Sequence, residues 1–151
     1  MPEFTITQSI DAPPEEVWKV LDDFGEIQRW NPGVKSSAQT SPGPVGQGTT
    51  RHCDFSPIGA VNERILLHEP DRRMTVEIHE TSKLPISRGQ ADFHLDPDGE
   101  GTMLTLNYSY ELNRLGRVAK GYTDAQLRKG LGGLARGLAA ESEASAGDSD
   151  S

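Results

Sequence analysis

Cysteine is almost missing: the 151 residues contain one, Cys53. A lone cysteine excludes an internal disulfide and a thiolate zinc site. Positive charge is also short, with 15 Lys and Arg against 23 Asp and Glu and a formal net charge of −8. That balance argues against non-specific binding to nucleic acid or to anionic lipid, since both need a positive surface. No apolar run is long enough to cross a bilayer, so membrane insertion is not expected. The opening MPEFTITQSI has no basic segment followed by an apolar one, so no secretory signal is expected and a cytoplasmic location is the default. The histidines do not cluster. His52, His79 and His94 neighbour inward strand positions and should face out, and His68 lies by a turn. No pair has the spacing of a metal site, so neither a metal nor another cofactor is expected. The glycines of GLGGLARG follow no strand, so this is not a dinucleotide loop.

Aromatic residues make up only 6%, yet both tryptophans, Trp18 and Trp30, fall in EEVWKVLDDFGEIQRWNPGV. Just before it, FTITQSID alternates apolar and polar residues as a half-buried strand does. Pro13 and Pro14 end that strand and suit a helix entry, where a missing N–H costs nothing. Val17, Val20, Leu21 and Phe24 then recur at helical spacing until Gly25, and EIQRW reads as one more short helix stopped by Pro32. From Val34 to Leu112 the pattern is strand and turn. The strands read as VKSSAQTS, TTRHCDF, AVNERILL, MTVEIHE, SRGQADFHL and MLTLNYSYEL, with breaks at SPIG, EPDRR, Leu84-Pro85 and DPDGEG. Consecutive strands on short turns imply an antiparallel meander. Arg117 to Ala140 is helical by period, with a Leu127, Leu131, Leu134, Leu138 stripe. Its interior glycines each cost about 1 kcal/mol against alanine, so packing must hold this helix, and the glycines let it approach the sheet closely or flex as a lid.

The expected architecture is therefore α+β: a seven-stranded antiparallel sheet curled around one long C-terminal helix, with two short helices after strand 1. Residues 1–140 form a single ligand-binding domain, and residues 141–151, ESEASAGDSDS, form a disordered acidic tail. A curled sheet with one helix across its mouth leaves a pocket. The expected partner is a small apolar ligand, with the chain acting as a monomer or homodimer.

The segments IDAPPEEVWKVLDDFGEIQRWNPGV, GQGTTRHCDF, VNERI, LP and GTMLTLNYSYEL, in that order, resemble the START-like, birch-pollen-allergen-like (SRPBCC) superfamily. The branch they resemble most is the polyketide cyclase/dehydrase and lipid-transport family. The resemblance covers about Phe4 to Leu138. It implies the helix-grip fold that the element order requires by itself, with the two short helices forming a V under the long helix. In that setting Trp18 and Trp30 fill the junction or line a cavity entrance. Family membership does not decide activity, because the family includes aromatase/cyclases as well as lipid and hormone binders.

Arg51, Cys53 and Phe55 share one strand face, and Val61, Glu63 and Ile65 share a face of the next strand. The apolar partners mark both faces as inward. Buried charges need partners, so Arg51 and Glu63 form either a salt bridge that fixes the hairpin register or a polar anchor for a ligand carboxylate, enol or ketone. The resemblance implies ligand contact through water for the glutamate of the ER motif, here Glu63. Tyr108 and Tyr110 lie on the inward stripe of the last strand and either orient a ligand carbonyl or pack the core. Asn31 aligns with a polar cavity position in relatives, and otherwise makes a helix-end turn. Relatives carry a tyrosine a few residues after the LP break; here Gly89, Gln90 and Ala91 stand there, which implies a wider cavity on that side without a hydroxyl.

The expected ligand-binding set is Trp30, Asn31, Arg51, Cys53, Phe55, Glu63, Val76, Ala91, Phe93, Leu106, Tyr108, Tyr110, Leu127 and Leu131, with Val61, Ile78 and Leu134 bordering the same space. No residue is assigned a catalytic role. Three functions fit the pattern. One is a carrier or sensor that binds a lipid, polyketide or similar molecule. The second is an aromatase/cyclase in which Arg51, Glu63 and a tyrosine promote aldol closure and dehydration. The third is a partner-binding domain with a vestigial cavity. No histidine or lysine falls clearly inside to serve as a tuned acid or base, which favours the binder.

Overall fold

The computed structural model describes residues 3–55 and 57–149. The elements run β1 (Glu3–Ile10), α1 (Pro14–Asp22), a 3-10 helix (Phe24–Arg29), β2 (Ser36–Gln39), β3 (Thr50–Asp54), β4 (Ala60–Glu69), β5 (Arg73–Ser82), β6 (Ile86–Asp98), β7 (Gly101–Leu112), α2 (Arg114–Val118) and α3 (Lys120–Ser149). One seven-stranded sheet has the order β1-β7-β6-β5-β4-β3-β2, and every described pairing is antiparallel. The strands from β2 to β7 form the expected meander, and β1 closes onto β7 with Phe4 opposite Tyr108. This is the α+β helix-grip architecture.

Local chemistry explains the elements. Pro14 opens α1, Glu15 and Glu16 occupy its first turn near the positive end of the helix dipole, and Val17, Trp18, Val20 and Leu21 are buried. β7 alternates buried and less buried residues along its length, with Leu104, Leu106, Tyr108, Tyr110 and Leu112 all buried. β6 runs further than expected, through Pro97 to Asp98, and the chain turns at Gly99 with φ +61°. The SPIG turn falls where expected, although its Ser56 lies outside the described residues.

The C-terminal helix differs from expectation at both ends. It is preceded by a separate short helix, α2, which Asn113 caps by accepting a hydrogen bond from the Gly116 N–H at 3.0 Å. It then continues past Ala140, through most of the stretch expected to be disordered; only Asp150 and Ser151 of that stretch lie outside the described residues. Packing accounts for the extension. Ser142 is buried and bonds back to the Leu138 carbonyl at 2.7 Å, and Glu143 accepts the Asp11 backbone N–H at 2.8 Å. Leu134 and Leu138 of the expected stripe are buried with Ala135 and Ala139, whereas Leu127 and Leu131 are half-buried. The close approach that the helix glycines permit is not to the sheet. A methyl group on Gly137 would sit 1.9 Å from the Trp30 carbonyl oxygen, so only glycine lets α3 cross the Trp30–Pro32 turn.

Candidate functional site

Antiparallel pairing of β3 and β4 sets Arg51 directly opposite Glu63 and Cys53 opposite Val61. Both charged residues are buried. The Arg51 Nε donates to Glu63 Oε1 at 3.0 Å, and its Nη1 donates to the Phe24 carbonyl at 3.0 Å. The guanidinium also lies 3.9 Å from the centre of the Phe24 ring, a cation–π contact that helps a desolvated cation. Cys53 Sγ donates to the same Glu63 Oε1 at 3.2 Å. Burial first, then the neighbouring Glu63 charge, pushes the Cys53 thiol well above its usual pKa, so it is a neutral donor rather than a nucleophile. Among the described residues nothing bonds the second carboxylate oxygen, Glu63 Oε2.

Tyr108 is the second polar group in this interior. It is 4% exposed, and no described residue hydrogen-bonds its hydroxyl. Burial, then the Glu63 charge and Tyr110, raises its pKa well beyond the usual phenol value, so it remains a proton donor. Tyr108 pairs with Ala91 across β6 and β7, and its tip leans to Gly89, where an added Cβ would lie 2.8 Å from the hydroxyl oxygen. The wider, hydroxyl-free side expected at Gly89 and Ala91 is therefore corrected: Tyr108 takes that space and puts a hydroxyl there.

Tyr110 has a different setting. Its hydroxyl donates to Asp124 on α3, and Lys120 pairs with the same carboxylate at 2.6 Å. Burial, followed by the hydrogen bond to Asp124 and that group's charge, pushes the Tyr110 pKa up to about 12. Lys120, and then Tyr110, hold the Asp124 carboxyl below its usual range. Phe4 packs against both tyrosines with ring centres 5.9 and 6.1 Å away, and the Arg128 guanidinium covers Phe4 at 4.6 Å. Strand and helix are thus latched by Tyr110 and Asp124.

The remaining expected residues divide by place. Val61, Val76, Ile78, Phe93 and Leu106 are buried strand residues, and Phe55 packs half-buried against the core. Asn31 makes the helix-end turn, its Oδ1 accepting the Gly33 N–H at 3.0 Å. Trp30 is buried under α3, and its indole N–H has no partner among the described residues. Trp18 is buried too, edge-on to His68 at 5.0 Å. A hollow of about 200 Å³ lies among α1, the 3-10 helix and the C-terminal half of α3, bordered by Lys19, Val20, Asp23, Glu26, Arg29, Trp30, Glu141 and Ser145. A second, about 90 Å³, lies on β3, β4 and β5 beside His52, Asn62 and Glu80. Neither falls between the sheet and α3. There Tyr110 bonds Asp124 of α3, Phe4 lies against Arg128 of α3, and Tyr108 packs against both rings.

Phe24, Asp124, Phe4 and Arg128 were not among the expected site residues. Phe4 and Phe24 carried a signal, the inward alternation of FTITQSID and the helical stripe of Val17, Val20, Leu21 and Phe24, while Asp124 and Arg128 touch the site only through tertiary contacts. Of the histidines, His52 is exposed and bonds Asn62, while His94 joins Arg73 and Thr75 around Asp92. His68 pairs with Asp22 at 2.7 Å. Among the described residues no group of three or more His, Cys, Asp or Glu is placed to hold a metal ion.

Residues 1–139 match the sequence profile of the family described as polyketide cyclase / dehydrase and lipid transport. The chain belongs to that family. A relative, an uncharacterised protein of Mycobacterium tuberculosis, is 28% identical over 109 residues; the match covers 72% of this chain and 65% of that protein. The chain thus matches somewhat less than two thirds of the length of the curated relatives. Among solved structures, TTHA0849 from Thermus thermophilus superposes with a TM-score of 0.80 at 21% identity, over 95% of this chain and 98% of that one. The Zhui aromatase/cyclase from Streptomyces sp. R1128 gives 0.79 at 19% identity, over 94% and 93%. Ara h 8.0201 gives 0.73 at 10% identity, over 93% and 97%. At such identities the likeness establishes the family's fold.

Proposed function

We propose that this polyketide cyclase/lipid-transport family member binds a small apolar molecule carrying a neutral hydroxyl or keto group between the sheet and α3. The observation that carries the reading is a pair of polar atoms on buried residues, the Tyr108 hydroxyl and Glu63 Oε2, that no described residue hydrogen-bonds. Both atoms belong to buried residues set among apolar side chains, and the Glu63 charge reaches Tyr108, so a ligand's polar group would meet the two together. Tyr108 would donate to a ligand carbonyl, and Glu63 would accept from a ligand hydroxyl. A carboxylate head fits less well, because Arg51 already serves Glu63 and the Phe24 carbonyl. A ligand of useful size needs roughly 300 Å³ or more, and a movement of α3 would make that room. Its N-terminal half is built for that: Leu127 and Leu131 are only half-buried, and Gly121 and Gly130 have nothing within 4 Å of an added Cβ. The Tyr110–Asp124 bond would then be the closure.

Aldol cyclisation is less well served. It needs a base near the reacting carbon; Glu63 is held by Arg51 and Cys53, and both buried tyrosines are protonated at neutral pH. Native mass spectrometry of the purified protein tests the reading. A bound species lost on mild activation, with the mass of an oxygenated apolar molecule, is expected. Bare protein, together with no uptake of ketones or alcohols of lipid length, would overturn it.

A further inference from the structure

The chain is acidic as a whole but not everywhere. The segment RLGRVAK, Arg114 to Lys120, holds three basic residues and no acidic one. It also carries two of the large apolar side chains that stand in water: Leu115 is 64% and Val118 88% exposed, and Tyr122 and Ile58 follow at 70% and 67%. Leu115, Val118 and Tyr122 are spaced three and four residues apart.

These residues gather at one end of the molecule. Asn113, just before α2, donates its side-chain N–H to the Leu84 carbonyl at 2.7 Å and its backbone N–H to the Pro85 carbonyl at 3.1 Å. The β3–β4 turn reaches the same place, since a methyl on Gly59 would lie 2.2 Å from the Ser82 carbonyl oxygen and 3.1 Å from the Leu84 side chain. Ile58, Lys83 and α2 therefore share one end. Lys83, Arg114 and Arg117 make no ion pair among the described residues and are exposed. Arg29 and Glu141 mark the far end; about 30 Å of helix separates Lys120 from Glu141 at the usual rise per residue.

We propose that this end docks on the surface of an anionic lipid bilayer, with Leu115, Val118 and Tyr122 among the headgroups and Lys83, Arg114 and Arg117 against lipid phosphates. Apolar and tyrosine side chains ringed by cations are the composition of an interfacial anchor. An acidic protein partner would need a fitted face, on the order of 800 Å² on each side, whereas these side chains stand on the tips of two turns and a short helix. The net charge of −8 does not oppose the proposal, because attraction to a membrane acts within about a Debye length of the surface; of the acidic residues toward this end, Asp124 is paired with Lys120, Glu111 stands opposite Arg88, and Asp54 and Glu80 lie on the strands behind the turns, while Lys83, Arg114 and Arg117 stand exposed in front. No helix among the described residues is long and apolar enough to cross a membrane, so the contact is peripheral. The proposal is independent of the ligand reading.

The test is co-sedimentation of the full chain with phosphatidylcholine vesicles, with and without phosphatidylglycerol, at low and high salt. Binding is expected only with phosphatidylglycerol and should fade at high salt. Arg114→Gln/Arg117→Gln should weaken it roughly 25-fold, at about fivefold per charge, and Leu115→Ser/Val118→Ser at least about tenfold. Lys19→Gln/Arg29→Gln, at the far end, should leave it unchanged. All four positions of the test variants are exposed, and circular dichroism checks that each variant is folded. No binding to phosphatidylglycerol vesicles, or equal binding by every variant, would overturn the proposal; in the former case an acidic protein becomes the occupant to seek.

Discussion

Arg51 and Glu63 face each other from neighbouring strands, 3.0 Å apart from Nε to Oε1, and the arginine's other contacts are to the carbonyl and ring of Phe24. The pair thus ties β3 and β4 to the start of the 3-10 helix. Removing one partner leaves a buried charge. Arg51→Met or Glu63→Leu alone should cost about 3–5 kcal/mol in urea unfolding, and the double variant should recover most of that loss. A double variant as unstable as the sum of the two singles would show that the pair's value lies in its other contacts.

Gly89 and Tyr108 should be coupled in the same way. In Gly89→Ala the new methyl meets the Tyr108 hydroxyl at 2.8 Å and Ile78 Cδ1 at 3.1 Å, an overpacking worth about 1–3 kcal/mol. Combining it with Tyr108→Phe removes the nearer clash, so the double variant should be more stable than Gly89→Ala alone. Additive losses in thermal melts would place the strain elsewhere.

The glycines of α3 are not equivalent. Gly130 has nothing within 4 Å of an added Cβ, so Gly130→Ala should stabilise by about 1 kcal/mol. Gly137→Ala, facing the Trp30 carbonyl oxygen at 1.9 Å, should force the helix off the Trp30–Pro32 turn and lower the melting temperature. Equal shifts for both would contradict the packing of α3 on that turn.

Much of this was legible in the sequence. The alternation of MLTLNYSYEL sets the inward stripe of β7, Pro13-Pro14 marks the entry to α1, and the Arg51 and Glu63 positions on facing strands predict their contact. The extension of α3 was not legible. ESEASAGDSDS is polar and has no periodic stripe, and the contacts that order it, Glu143 with Asp11 and Ser142 with its own helix, arise from tertiary proximity. The Tyr108–Gly89 contact was hidden for a geometric reason. Strand register pairs Tyr108 with Ala91, and the contact is a diagonal set by side-chain tilt rather than by register. The cationic apolar end was masked by a whole-chain charge sum that averages over both ends.

Alkaline titration reads the Tyr110–Asp124 latch. The folded-state pKa of Tyr110 is raised to about 12, against about 10 for an unfolded tyrosine. Its contribution to stability is therefore complete below about pH 10 and is lost as pH rises through about 12. Phenolate absorbance should show Tyr108 and Tyr110 ionising late in the folded protein, and in the ordinary range after unfolding in urea. Asp124→Asn should bring Tyr110 down towards the ordinary value and leave Tyr108 high. An unchanged titration in that variant would mean that the carboxylate does not govern Tyr110.

The most direct test of the binding account is a competition titration of wild type and Tyr108→Phe, using a long-chain methyl ketone and the alkane of equal length against an apolar fluorescent dye. Wild type should prefer the ketone by roughly 2–10-fold, the range of one hydrogen bond. Tyr108→Phe should bind both alike while remaining as stable as wild type, because the hydroxyl it loses has no partner among the described residues. Failure of wild type to displace dye with either ligand, or a ketone preference that survives in Tyr108→Phe, would contradict the account.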